Sequence, residues 1–145
     1  MDEARKLAEL APKIMNAFHD LGRQHPTDER LSMRQFQALI ILNTSNSLTL
    51  SQLCAKLSLA ASTGTELVNR MIELDYIQKA HEQKDQRQVM LTVAPKGLEL
   101  MKQRQQALTE MFDNFLSKFP AEEQKDFVWH FEKIWEFIQT YHLKL

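Results

Sequence analysis

Residues 79–97 read KAHEQKDQRQVMLTVAPKG. Val89, Leu91 and Val93 alternate with Met90 and Thr92, the period-two pattern of a half-buried strand. Residues 76–80 read as its partner strand. Between the two lies a charged polar tip holding Asp85 and Arg87, and Pro95 suits the first turn of a new helix. The stretch is therefore a two-stranded ribbon followed by a helix. A guanidinium at a ribbon tip fits the negative potential of a narrow DNA minor groove. A carboxylate two residues earlier can hold that guanidinium extended through a bidentate pair.

Upstream, Thr49-x-x-Gln52 is a capping box that starts a short helix through Leu53 and Leu57. After Ser58-Leu59 the spacing predicts a second helix over 60–74, with Leu67, Val68, Met71 and Leu74 on its inner face. Two short helices with a tight turn, the second presenting Ser, Thr, Asn and Arg outward, make a helix-turn-helix. Asp75 stands where the chain must leave that helix. It tolerates a left-handed turn less well than glycine would. Further upstream, Ser32-x-x-Gln35 is another capping box, opening an apolar helix from 33 to about 43 with Phe36, Leu39, Ile40 and Leu42. Residues 22–30, GRQHPTDER, read as a loop, and Leu7, Leu10, Ile14, Phe18 and Leu21 form one face of a first helix.

Downstream, the helix from Pro95 runs long, through Leu98, Met101, Leu108, Met111, Phe112 and Phe115, until Pro120 breaks it. A final helix starts at Ala121-Glu122-Glu123. Its stripe is Phe127, Phe131, Ile134, Ile138 and Tyr141, widened by Val128 and Trp135. With Trp129 and Trp135 off the main stripe, about half of its circumference is apolar, more than one small lobe can bury, so a partner surface is expected.

A length of 145 residues fits one domain, or one domain with an oligomerisation arm. Apolar residues at 43% and charged residues at 26% are the balance of an ordinary globular protein, and 3 Gly with 4 Pro leave room for long helices. No apolar run approaches the roughly 18 residues of a membrane span. Met1-Asp2-Glu3 opens straight into an amphipathic helix, without the basic leader and apolar core of a signal peptide, so a cytoplasmic protein without membrane contact is expected. One cysteine excludes an intrachain disulfide. Net charge is −1, which shifts the weight of any nucleic-acid binding to a local patch.

The order helix, helix, helix-turn-helix, ribbon, long helix, helix resembles the MarR family of winged-helix transcription regulators over nearly the whole chain. The most specific parts are SLTLSQLCAKLSLAASTGTELVNRMIELDYIQKA and DQRQVMLTVAPKG. The family's wing pattern, Asp-x-Arg and then Leu-Thr before a Gly, matches Asp85, Arg87, Leu91, Thr92 and Gly97. Its Ser-Thr near the start of the recognition helix matches Ser62-Thr63. The resemblance implies a mainly α (α+β) fold: a winged helix-turn-helix with a small β-ribbon wing and a helical dimerisation region. It implies one MarR-like domain over 1–145, with the DNA-binding lobe at 32–94 and dimerisation helices at 1–22 and 95–145. It implies a homodimer on a pseudo-palindromic operator in double-stranded DNA, a repressor relieved by a small aromatic or amphipathic effector or, in some members, by thiol oxidation. No cofactor is implied.

The chain departs from the family pattern at three places. Ala60 replaces a capping Ser or Asp, costing about 1 kcal/mol. Gly64 occupies a helix-interior position, at roughly 1 kcal/mol against Ala. Glu66 puts a carboxylate on the outward face. Across 49–92, Lys56, Arg70, Lys79, Lys84 and Arg87 face Glu66, Glu73, Asp75, Glu82 and Asp85, so the reading lobe has no net charge. A neutral lobe also fits a second class, a winged-helix dimer used as a protein-interaction module with weak or no DNA binding.

The candidate DNA contacts are Ser62, Thr63, Thr65, Glu66, Asn69 and Arg70 on the recognition helix, Gln52 and Lys56 on the helix before it, and Lys84, Asp85 and Arg87 on the wing. Ser and Thr can bond base edges or phosphates, Asn can pair with adenine, and Glu can accept from the cytosine amino group. The plainer readings stand beside these. Ser62 and Thr63 can replace the missing cap, Arg70 can pair with Glu66 one turn earlier, and Lys79 and Lys84 can simply solubilise the wing. Met15, Phe18, His19, Phe36 and Met101 are the candidate effector residues, since Met and aromatics make adaptable apolar walls, although such stripes are mostly core.

Cys54 lies on the inner side of its helix beside Leu53 and Leu57 with no basic neighbour in sequence, and reads as a buried structural thiol. Thiol-sensing relatives carry their cysteine in the first helix, where this chain has none. His19, His25, His81, His130 and His142 show no metal-ligand spacing. There is no phosphate loop, nucleophile elbow or His-Glu metal motif, so no enzyme is expected.

Overall fold

Two capping boxes open the central helices, where the sequence predicts them. The Gln35 N–H donates to Ser32 Oγ at 3.2 Å while the Ser32 N–H donates to Gln35 Oε1 at 2.9 Å. Thr49 and Gln52 repeat the exchange at 3.2 and 2.9 Å. Each box satisfies helix-terminal N–H groups that would otherwise lack partners. The computed structural model describes residues 1–23, 30–82 and 85–144, with backbone only at 23, 81, 82, 85–87, 143 and 144. Most of the predicted 22–30 loop, including His25, and Lys84 lie outside the described residues.

The order is α1 (Asp2–Arg23), α2 (Met33–Ser45), α3 (Leu50–Leu57), α4 (Ala61–Glu73), β1 (Ile77–Glu82), β2 (Asp85–Val93), α5 (Pro95–Leu116) and α6 (Ala121–Lys144). The chain divides into two units, Met1–Leu108 and Thr109–Leu145.

In the first unit, one core joins Phe36, Leu39 and Leu42 of α2 with Leu53 and Leu57 of α3, Val68 and Met71 of α4, Ile77 and Leu91 of the ribbon, and Leu100 and Met101 of α5. Each such side chain contributes roughly 1.5–3 kcal/mol of burial free energy. Turns close the lobe without glycine: Ser58 caps α3 at φ 55° and Asp75 leaves α4 at φ 61°.

Gly64 has a packing reason. A Cβ there would collide with Cys54 Sγ, so the bare glycine lets α3 and α4 approach across the buried thiol. Gly97 has another. A Cβ there would strike the Tyr76 carbonyl, against which the first turn of α5 rests.

The ribbon is antiparallel, with Ile77 opposite Val93, Lys79 opposite Leu91 and His81 opposite Val89. It differs from the predicted ribbon in three respects. Tyr76 is not a strand residue. It is buried, and its hydroxyl donates to the Arg30 carbonyl at 2.7 Å. β2 begins at Asp85, four residues before the predicted strand, where the polar residues carry no alternating pattern to announce it. Arg87 consequently lies within β2 and not at the tip. The register passes from His81–Val89 directly to Glu82–Asp85, which leaves 86–88 as extra residues on β2. Leu48 adds a short third pairing on the other edge of β2, exchanging bonds of 3.2 and 2.7 Å with Leu91.

α1 starts with Asp2 and Glu3, favourable at the positive end of a helix dipole, and contains Pro12 without being ended by it. Its apolar face is uncovered: Leu7 is 67% and Ile14 49% exposed.

In the second unit, in the turn after α5, the Phe119 N–H donates to the Leu116 carbonyl at 3.0 Å, and the Gln124 side-chain amide donates to the Phe119 carbonyl at 2.9 Å. Phe115, Phe119, Phe127 and Phe131 form a chain of rings with centroids 4.9–5.3 Å apart. Beyond them α6 exposes its apolar side chains, with Trp135 at 60% and Phe137 at 74%. Among the described residues no helix is long and apolar enough to cross a membrane.

Candidate nucleic-acid interface

α4 turns Gly64, Val68 and Met71 into the core. At about 100° per residue, Glu66 falls diametrically opposite that buried line. Ser62, Asn69 and Glu73 flank it on one side, Thr63 and Arg70 on the other. Ser62, Thr63, Glu66, Asn69 and Arg70 are exposed, whereas Thr65 is half-buried and its hydroxyl donates to the Ala61 carbonyl at 2.7 Å. The helix thus offers one polar face to solvent while its other face is fixed by packing.

Ala60 is the N-cap residue and α4 has no side-chain cap bond. Ser62 and Thr63 therefore do not replace the cap, and their hydroxyls remain on the outer face. Arg70 does not pair with Glu66. Its Nη1 lies 3.4 Å from Glu73 Oε2, an exposed pair of the kind that contributes tenths of a kcal/mol.

On α3, Gln52 is exposed but its oxygen is engaged by the Thr49 N–H, so its amide NH2 is the group left to meet a phosphate. Lys56 is exposed in the last turn. Sequence reasoning missed Arg34, whose Nη1 donates to the Leu57 carbonyl at 3.2 Å and ties α2 to the end of α3. It also missed Arg104, which donates to the Leu31 carbonyl and stands over the Phe36 ring at 5.7 Å. Bonds between residues so far apart in sequence have no local pattern. Lys79 is exposed on β1. Asp85 and Arg87 are placed by their β2 backbone, and their side chains, like Lys84, lie outside the described residues.

The five effector candidates differ in burial. Phe36 and Met101 are sealed in the lobe core, Met15 and His19 are exposed on α1, and Phe18 is half-buried. Cys54 is buried. Among the described residues no group of three or more His, Cys, Asp or Glu is placed to hold a metal ion.

Residues 31–89 match the model of the MarR family. An uncharacterized HTH-type transcriptional regulator, YsmB of Bacillus subtilis (strain 168), is 30% identical over 98 residues, spanning 65% of this chain and 67% of that protein. Among solved structures, RV1404 from Mycobacterium tuberculosis superimposes with a TM-score of 0.76 at 18% identity, covering 93% of this chain and 91% of that one. The PcaV transcriptional regulator from Streptomyces coelicolor, in complex with its natural ligand, gives 0.67 at 22%, covering 94% and 96%. A mutant MarR from E. coli, complexed with operator DNA, gives 0.68 at 16%, covering 92% and 96%. At these identities the structural likeness is one of fold, and it agrees with the helix-turn-helix, the ribbon and the matched segment: the chain belongs to the MarR family of winged helix-turn-helix transcription regulators, which are DNA-binding proteins and not enzymes.

Proposed function

We propose that this regulator acts as a homodimer on a pseudo-palindromic operator in double-stranded DNA, represses transcription there, and is released by a small aromatic or amphipathic effector. The observation that carries the reading is the geometry of α4, a helix locked into a core on one side and presenting Ser62, Thr63, Glu66, Asn69 and Arg70 on the other. Two such helices enter successive major grooves about one helical turn apart. Gln52 and Lys56 position the backbone, and the wing, with Lys84, Asp85 and Arg87, grips the flanking minor groove.

The lobe is assigned to 32–94 and dimerisation to 1–22 and 95–145. What supports dimerisation is the exposed apolar surface of α1 and, separately, of α6. Met15, Phe18, His19, Phe36 and Met101 are the proposed effector contacts. Phe36 and Met101 are buried, so an effector that reaches them must part the core, and this is how it would bias one state over another. The protein acts in the cytoplasm.

Titration of duplex DNA across a salt series tests the reading. Affinity should fall steeply with salt, and Arg87→Ala should weaken specific binding by roughly 1–3 kcal/mol with the dimer intact. Negligible affinity even at low salt would overturn it, and would favour the protein-interaction module that the neutral lobe also fits.

A further inference from the structure

We propose that Glu66 reads a base: it selects a cytosine in each half of the operator. The inference rests on the DNA-binding role of α4 proposed above, and adds which side chain sets the sequence and how.

Glu66 sits at the middle of the outward face, opposite Gly64, Val68 and Met71. On a helix lying in a major groove, the middle of the face meets the base edges and its margins meet the phosphates. Arg70, toward one margin, lies 3.4 Å from Glu73 and not beside Glu66. Among the described residues Glu66 has no ion-pair or hydrogen-bond partner, so its carboxylate meets the groove unneutralised.

A carboxylate only accepts hydrogen bonds. In the major groove, guanine offers the acceptors N7 and O6, and thymine offers O4 and a methyl group. Adenine offers one amino donor, but with the N7 acceptor beside it, and cytosine offers its N4 amino group alone. A carboxylate held at the groove floor is therefore repelled by guanine and thymine, meets a donor beside an opposing acceptor at adenine, and is accepted without opposition on the base only by cytosine. The neutral charge of residues 49–92 strengthens this choice, because that segment has no surplus of lysine and arginine to hold the protein on a wrong sequence. A residue that weakens every non-cognate complex and is compensated only at cytosine raises specificity at the expense of general affinity.

Selection of bound sites from random duplex DNA, carried out with the full-length protein and with Glu66→Ala and Glu66→Gln, tests this. Both variants should keep the helical circular-dichroism spectrum, since the side chain is exposed and unpartnered. The wild-type sites should contain one position per half-site where C is favoured by roughly five- to a hundredfold. Glu66→Ala should lose that preference and keep the others. Glu66→Gln, which can donate to N7 and accept from N6, should move it from C to A. If Glu66→Ala selects the same sites as the wild type with uniformly higher affinity, Glu66 merely repels phosphates and the proposal fails. If the wild type enriches no sequence at all, the DNA-binding reading falls, and this inference with it.

Discussion

The lobe core and the two terminal helices use similar apolar residues to different ends. From Leu31 to Met101 the large side chains of the core are sealed, and among the described residues no buried side-chain polar atom lacks a partner. α1 and α6 are as regular in their helical spacing, but Leu7, Leu10, Ile14, Trp135, Ile138 and Tyr141 stay exposed. Amphipathic spacing alone says that a face must be covered. It does not say whether the cover comes from the same chain. The lobe covers its own apolar faces, whereas each terminal helix leaves apolar side chains exposed.

Substitutions can break this contrast, and the largest effect belongs to the core. Leu39→Ala should lower unfolding free energy in urea by about 2–5 kcal/mol, while Leu7→Ala should leave lobe unfolding within about 0.5 kcal/mol and register instead in the dimer dissociation constant. Equal losses at both sites would mean that α1 is covered by its own chain. The next largest effect should follow from charging α6. Trp135→Glu or Ile138→Glu should weaken the dimer by about 1.5–3 kcal/mol each, seen as monomer in equilibrium sedimentation at micromolar concentration. Within the lobe, Gly64→Ala should cost about 1–3 kcal/mol by overpacking Cys54, and adding Cys54→Ala should recover much of it. Recovery would separate a steric role of the glycine from a backbone one. The smallest change is a gain: Ala60→Ser should add about 1 kcal/mol by supplying the N-cap bond that α4 lacks.

What the sequence made legible was local. The Ser32–Gln35 and Thr49–Gln52 boxes, the helix exit at Asp75 and the break at Pro120 are each decided by neighbours within a few residues, and each was found in place. The Leu48–Leu91 bridge, the Tyr76 bond to Arg30 and the Arg34 bond to Leu57 depend on chain segments brought together by folding, so no spacing rule reveals them. The candidate interface divides in the same way. Periodicity placed Glu66 and Asn69 outward, but the choice of Arg70 between Glu66 and Glu73 turned on side-chain geometry that both spacings allow. The early start of β2 was hidden because Asp85, Gln86 and Arg87 carry no strand alternation.

The meeting of Gly97 with Tyr76 has a mechanical consequence. The Tyr76 carbonyl accepts the Ala94 N–H at 3.0 Å, and the Tyr76 N–H donates to the Met71 carbonyl at 2.8 Å. One peptide segment is thereby pinned at once to the last turn of α4 and to the first turn of α5. The two helices share a joint held by main-chain bonds on both sides, so a shift at the start of α5 has a direct main-chain route to the end of α4.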